Sequence, residues 1–447
     1  MRPITMLSLS FLAACGGPAE QTDSGTTPTT DTEDTDTTPE TDTVETGTID
    51  TDTTEPIPSV MRDCPTTPGN ICPWAGAGIN GFNGDAAHRL DAWFSLPQSV
   101  TFSPYGPTLI SDWNNHKIRK VNDTEEAGFE TIMGTAFLGD GDAAKLDLTP
   151  AGAPGNTVAL NHPTNQAYQS NGLMFADNWH NHKLRTWDQN TNLVRVWAGS
   201  KPGFEGDGGA AATAKFKQPR EIFIDANDDI WVVDMQNERI RKITADGSVV
   251  TTVVGKGVKG YDDGVTCFGD DVALLDACFN FPLNANPEPG GAIQINSAGN
   301  KIYIADTESH IIRVANLTTG MVTLLAGTPS VAGDVDATGS AAKFNYPADI
   351  ALDGNTLFVA DANNSKIRAV DVNTGVVTTF AGTGVATCPY TAGYEKVVQI
   401  CDEQHSGGDG GPATSATLYR PFGVDIDPDG NVVVADTYSH RFRIIYR

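Results

Sequence analysis

Between residues 97 and 447, short apolar runs alternate with turns rich in Gly, Asp, Asn and Pro. No window sustains the three-and-four spacing of an amphipathic helix, whereas runs of strand length alternating with polar positions recur. The last unit is the easiest to read. Pro421-Phe422-Gly423-Val424-Asp425-Ile426 leads through the hairpin turn Pro428-Asp429-Gly430-Asn431 into Val432-Val433-Val434-Ala435-Asp436, and a third strand follows over residues 441–446. Earlier units add a fourth strand, as at residues 378–382.

The pattern occurs six times. The first strand starts at Pro97, Pro163, Pro219, Pro282, Pro347 and Pro421, and the fourth closes on Gly134, Gly199, Gly255, Gly327 and Gly382. The second strand ends on an Asp that is followed by an Arg: Asp112 with Arg119, Asp177 with Arg185, Asp234 with Arg241, Asp306 with Arg313, Asp361 with Arg368 and Asp436 with Arg443. In the second copy the interval is one residue longer, so Asn178 is a candidate for the Asp place there. Four short antiparallel strands in each of six units predict an all-β chain folded as a six-bladed β-propeller. The sixth unit contains only three strands, and a spare fourth, Ile71-Cys72-Pro73-Trp74-Ala75-Gly76, lies ahead of the first unit. It matches Val196-Trp197-Ala198-Gly199 and is expected to complete the last blade and remove its exposed edge.

Gly408-Asp409-Gly410-Gly411-Pro412-Ala413, Arg420-Pro421-Phe422-Gly423-Val424 and Ala435-Asp436-Thr437-Tyr438-Ser439-His440-Arg441-Phe442-Arg443 resemble the NHL repeat in its bacterial and teneurin-type form. The resemblance covers residues 71–447. It implies the propeller fold and leaves function open, because NHL propellers include binding scaffolds and a few enzymes.

The region ahead of the repeats has a different character. Met1-Arg2-Pro3 and an apolar run from Ile4 to Leu12 end in Leu12-Ala13-Ala14-Cys15, so residues 1–14 read as a signal peptide too short to span a bilayer. The ending resembles the lipobox of bacterial lipoproteins, which implies a diacylglycerol anchor on Cys15; an ordinary secretory signal is the alternative. Gly16 after the cysteine favours the outer membrane or cell surface over inner-membrane retention. From Gln21 to Val60 there are eleven acidic residues and no Lys or Arg. Such a segment cannot bury enough apolar surface to fold, so residues 15–60 are expected to form an extended Thr/Asp/Pro-rich stalk, with residues 61–447 forming the propeller. The formal net charge of −27 argues against a nucleic-acid partner, which needs clustered Lys and Arg. The remaining cysteines fall as sequence neighbours, Cys64 with Cys72, Cys267 with Cys278 and Cys388 with Cys401, and in an exported chain are expected to form three local disulfides.

Candidate chemistry narrows quickly. An Arg repeated in every blade is expected to be buried and paired with the repeat Asp, as a brace between blades and not as a catalyst. His116, His182, His310 and His440 occupy one repeat position, while His88, His180 and His405 lie in loops without shared spacing, so no convergent histidine cluster is expected. Asp140 with Asp142, Asp262 with Asp263 and Asp334 with Asp336 are formal calcium candidates, but they coincide with the Gly-Asp turn of the repeat. The copies differ most in the residue before the repeat Pro. Leu96, His162, Gln218, Phe281, Tyr346 and Arg420 form an unlike ring at the expected channel mouth, with Gln98, Arg220, Glu221, Asp349 and Phe422 just inside it. This ring is the expected ligand site of a surface-anchored, monomeric binding or scaffold module that contacts an extracellular protein or glycan without a cofactor. The alternatives are a hydrolase or lyase with a metal at the channel mouth, using Glu221, Asp349 or His162 as ligand or base, and a purely structural envelope protein.

Overall fold

The computed structural model describes residues 61–447 apart from 86–87, 123, 261–270, 283–287 and 385–406, and all of these belong to one compact unit, Pro56–Arg447. The expected signal peptide, Cys15, the stalk, Cys267, Cys388, Cys401, His405, Asp262 and Asp263 lie outside the described residues. Six antiparallel sheets follow one another around the molecule. Blade 1 is built from Ser99–Thr101, Leu109–Asp112, Lys117–Val121 and Phe129–Met133. Blade 2 contains Pro163–Tyr168, Leu173–Asn178, Lys183–Asp188 and Leu193–Gly199, and blade 3 contains Pro219–Ile224, Ile230–Asp234, Arg239–Ile243 and Val250–Val254. Blade 4 contains Ala292–Ile295, Lys301–Asp306, Ile311–Asn316 and Met321–Ala326, and blade 5 contains Pro347–Asp353, Thr356–Asp361, Lys366–Asp371 and Val377–Ala381. Blade 6 combines Gly423–Ile426, Val432–Asp436 and Arg441–Ile445 with Ile71–Ala75 as its outer strand.

The pairing of Ile71–Ala75 with the C-terminal strand repeats a detail of the other blades. In blade 3, Arg241 pairs with Thr252 and Ile240 with Val254, which leaves one bulged residue opposite the repeat Arg. In blade 6, Arg443 pairs with Pro73 and Phe442 with Ala75, so Trp74 is the bulged residue. A bulge that recurs at one register marks the segment as a true fourth strand. The Cys64–Cys72 disulfide ties its start to the preceding loop. Cys278 is also disulfide-bonded.

Blade 4 departs from the sequence expectation. Its first strand begins at Ala292, ten residues after Pro282, and Pro289, Gly290 and Gly291 directly ahead of it do not continue the ladder. The interval from Pro282 to Asp306 was already the sign, at 24 residues against 15 in blade 3.

Apolar side chains fill the spaces between neighbouring blades. Leu109, Ile132, Met174 and Trp187 pack between blades 1 and 2, and Phe94, Val100, Val433 and Phe442 between blades 6 and 1. Side chains bond the backbone of the following blade at or just beyond its innermost strand: Val424 N–H donates to Asp349 (3.0 Å) and Phe102 N–H to Asp425 (3.2 Å). Among the described residues, no helix is long and apolar enough to cross a membrane.

Candidate binding site at the channel mouth

The repeat Arg residues are buried, as expected, but the pair they form lies within one blade. Arg119, Arg241, Arg313 and Arg368 meet their own Asp, on the adjacent strand, at 2.8–3.4 Å, and Arg443 stands 3.7 Å from Asp436. The expected brace between blades is therefore corrected. The guanidinium instead grips the connection arriving from the preceding blade: Arg241 bonds the carbonyls of Lys215 (2.7 Å) and Glu205 (2.8 Å) and the Asp207 carboxylate (2.8 Å). Five N–H donors fixed in one plane explain why Arg occupies this place.

In blade 2, Asp177 is not the partner. Asn178 holds the repeat position and accepts from Arg185 at 2.7 Å, while Asp177 turns inward to Thr164 and Asn165. Asp140 and Asp334, two of the calcium candidates, pair with Arg185 (2.6 Å) and Lys366 (2.6 Å), and Asp336 pairs with Arg368. Among the described residues, no group of three His, Cys, Asp or Glu is arranged to hold a metal ion.

The six unlike residues take equivalent places at the blade junctions, but they are buried: Leu96, His162, Gln218, Phe281, Tyr346 and Arg420 are each no more than 8% exposed. All except Phe281 adopt left-handed backbone angles, with φ from 43° to 64°. Outside the ring lies a second set that sequence reasoning did not single out. It consists of the second residues of the short turns after each repeat Asp or Asn, 3-10 in all blades but blade 4: Asn114, His180, Gln236, Glu308, Asn363 and Tyr438. All but Tyr438 reach the surface at least in part. The signal was available, since five residue types occupy these six places.

The two sides of the mouth have different chemistry. On blades 1 and 2, His162 stacks on Trp113 (centroids 3.8 Å apart) and His180 on Trp179 (4.1 Å); the two imidazoles meet Nδ1 to Nδ1 at 2.9 Å, and His116 packs edge-on to His162 at 4.6 Å. The expectation that the histidines would not converge is thus corrected, because the blade repeat brings His116, His162 and His180 together from positions with no common spacing. Burial pushes His180 down to about 4 and His162 well down, so these rings are neutral at physiological pH. His88 lies apart, accepting from Leu90 N–H to cap a turn.

On blades 5 and 6, Arg420 bonds Asn363 Oδ1 through two nitrogens (3.0 and 2.7 Å) and pairs with Glu288 at 2.5 Å. Glu288 comes from the extra stretch of blade 4, and its carbonyl accepts from Tyr346 Oη at 2.5 Å. The Arg420 guanidinium also lies over the Tyr438 ring at 4.8 Å.

Beneath the mouth, Arg220 pairs with Glu221 and with Asp349 (3.3 Å), and also bonds the Phe422 carbonyl (3.4 Å). Burial raises both carboxyls, and the guanidinium opposes that rise. Gln98 is 1% exposed, and neither of its amide atoms has a partner among the described residues; the indole N–H groups of Trp113 and Trp179 are likewise unpartnered.

The NHL-repeat family model matches residues 418–445, which run from just before the innermost strand of blade 6 to the end of its third strand. Those residues pair as the other five blades do. The chain folds as a six-bladed β-propeller whose last blade matches the NHL repeat. NHL repeat-containing protein 2 of Bos taurus is 26% identical over 348 residues, covering 62% of this chain and 45% of that protein. The NHL propeller thus spans less than half the length of this curated relative and of its Gallus gallus counterpart. Among solved structures, a protein of unknown function from Bacteroides thetaiotaomicron superposes with a TM-score of 0.56 at 14% identity, covering 84% of this chain and 75% of that one. An auxiliary nutrient binding protein from Bacteroides ovatus superposes with a TM-score of 0.54 at 13% identity, covering 84% and 76%. At such identities the likeness is one of fold.

Proposed function

We propose that this NHL propeller is a surface-anchored binding module that takes an extracellular protein or glycan on the face around its channel mouth. The observation that carries this reading is the contrast between a scaffold repeated six times and the unlike rim of Asn114, His180, Gln236, Glu308 and Asn363 laid over it. The nutrient-binding description of the Bacteroides ovatus neighbour is compatible with the same reading. Glu221 and Asp349, two of the residues the hydrolase alternative would use, are instead engaged with Arg220. Anchoring rests on the Leu12-Ala13-Ala14-Cys15 ending; a Cys15→Ala chain is expected to lose incorporation of labelled fatty acid and to leave the membrane fraction.

The rim is the part to test, because the ring beneath it is structural. Replacing His180, Gln236 and Asn363 together by Ala is expected to abolish capture of protein ligands or glycans from an array while the chain still folds, as followed by circular dichroism, with a lowered melting temperature because Arg420 and His162 lose partners. Undiminished binding by that variant removes this face from consideration.

A further inference from the structure

Six hydrogen bonds join consecutive blades at one repeat position. The N–H of each ring residue donates to the side chain at the end of the preceding blade's short turn. Leu96 donates to His440 Nδ1 (3.3 Å), His162 to His116 Nδ1 (3.4 Å), Gln218 to His182 Nδ1 (3.0 Å) and Tyr346 to His310 Nδ1 (3.1 Å). At the two remaining junctions Phe281 donates to Glu238 Oε2 (3.1 Å) and Arg420 to Ser365 Oγ (3.3 Å). The chain of contacts runs once around the propeller, and its first and last links join at His440 and Leu96.

We propose that the four imidazole junctions form an acid-sensitive clasp, which holds the mouth ring closed while Nδ1 is bare and releases it when that nitrogen takes a proton. A backbone amide can only donate, so the ring nitrogen facing it must carry no hydrogen, which assigns the Nε2–H form to all four histidines. Protonation at Nδ1 turns the acceptor into a donor and sets two N–H groups against each other at a largely buried junction. The clasp also holds strained backbone: Leu96, His162, Gln218 and Tyr346 are left-handed without being glycine, and so are the four histidines that hold them. Releasing the bond removes what keeps those angles in place.

The surroundings set the direction. Burial, the largest cause, pushes His116, His182 and His440 down to about 4 and also lowers His310. Lys117 stands beside His116, with the neutral rings of His162 and His180 nearby; Asp140, Lys183 and Lys217 surround His182; Glu308 faces His310; no charged neighbour acts on His440. A closed-state value below the ordinary value of about 6.5 means that the clasp is fully formed above that pH. As the pH falls from about 6.5 toward 4, the open form takes up protons first and closure weakens. Glu238 and Ser365 follow a different rule, since a carboxyl oxygen and a hydroxyl oxygen still accept in acid. Those two junctions are controls built into the same ring.

Amide hydrogen exchange on the full chain tests the proposal, with rates corrected for the intrinsic effect of pH. Between about pH 7.5 and about pH 4.5, protection at Leu96, His162, Gln218 and Tyr346 is expected to fall by about tenfold or more relative to Phe281 and Arg420. Equal loss at all six amides, or loss at none of the four, overturns it. His182→Ser copies the Ser365 junction and keeps an acceptor in place. In that variant Gln218 is expected to stop responding to acid while Leu96, His162 and Tyr346 still respond; an unaltered acid response at Gln218 also overturns the proposal.

Discussion

Arg220 of blade 3 reaches Asp349 of blade 5 at 3.3 Å beneath the channel mouth while also holding Glu221 beside it. One guanidinium thus serves two carboxylates that burial alone would keep protonated. Replacing Arg220 by Met is expected to cost about 3–5 kcal/mol at neutral pH, the usual penalty for stranding buried charge. The sign with pH follows from the raised carboxyls. Their folded values lie above the unfolded ones, so stability is present at low pH and lost as pH rises, and the deficit of the variant should be larger at about pH 8 than at about pH 5. Urea denaturation at the two pH values measures this, and a deficit that does not change with pH counts against the assignment.

The blade that uses Asn178 makes a prediction about the other five. Since Arg185 is satisfied by an amide at 2.7 Å, Asp234→Asn should cost less than about 1.5 kcal/mol, in the range of a single hydrogen-bond change. Arg241→Met removes the donors that hold Lys215, Glu205 and Asp207, and should cost about 3–5 kcal/mol. Thermal melts of the two variants compare them directly, and equal losses would contradict the division of labour between the two residues.

Ile71 is fully buried where the outer strand meets Ile445. Ile71→Ala is expected to cost about 2–5 kcal/mol as a core truncation. A chain beginning near residue 78 should lose far more, since blade 6 would expose the whole edge of Arg441–Ile445. Calorimetry on both chains decides the matter, and a shortened chain that melts like the full one would show the sixth blade to be self-sufficient.

Gly199 closes the outer strand of blade 2 with a φ of +84°, and a Cβ added there would lie 2.3 Å from the carbonyl oxygen of His182. Gly199→Ala is therefore expected to cost more than the ~1 kcal/mol of a simple left-handed alanine, because it also displaces a clasp residue. The Gln218 amide should lose protection in the same variant, a readout that a purely local strain would leave untouched.

Much of the architecture could be read in the sequence because it rests on local and repeated chemistry. The period-two runs, the Pro before each first strand, the Gly after each fourth and the Asp-to-Arg interval each record a demand made once per blade. Asn178 was legible as a substitute because one extra residue shifts the register. The late start of blade 4 was equally visible in its Pro-rich spacing, although the repeat Pro282 pointed the other way.

The candidate site was legible only in outline. The unlike ring could be located by comparing copies, but its burial could not, because closing six blades against one another covers residues that each blade alone would expose. His116, His162 and His180 have no common spacing and meet only because blade 1 ends where blade 2 begins.

By itself the sequence determined the repeat unit: its strands, its turns and its internal Asp or Asn to Arg pair, all set by residues within one copy of the repeat. Only the tertiary structure decided what lies between blades. The histidine position that reads as a loop residue becomes a junction, and an Arg in blade 3 takes its partner from blade 5. The physical reason is closure: a ring brings together residues hundreds of positions apart, and a backbone N–H finds its acceptor only once the neighbouring blade is in place.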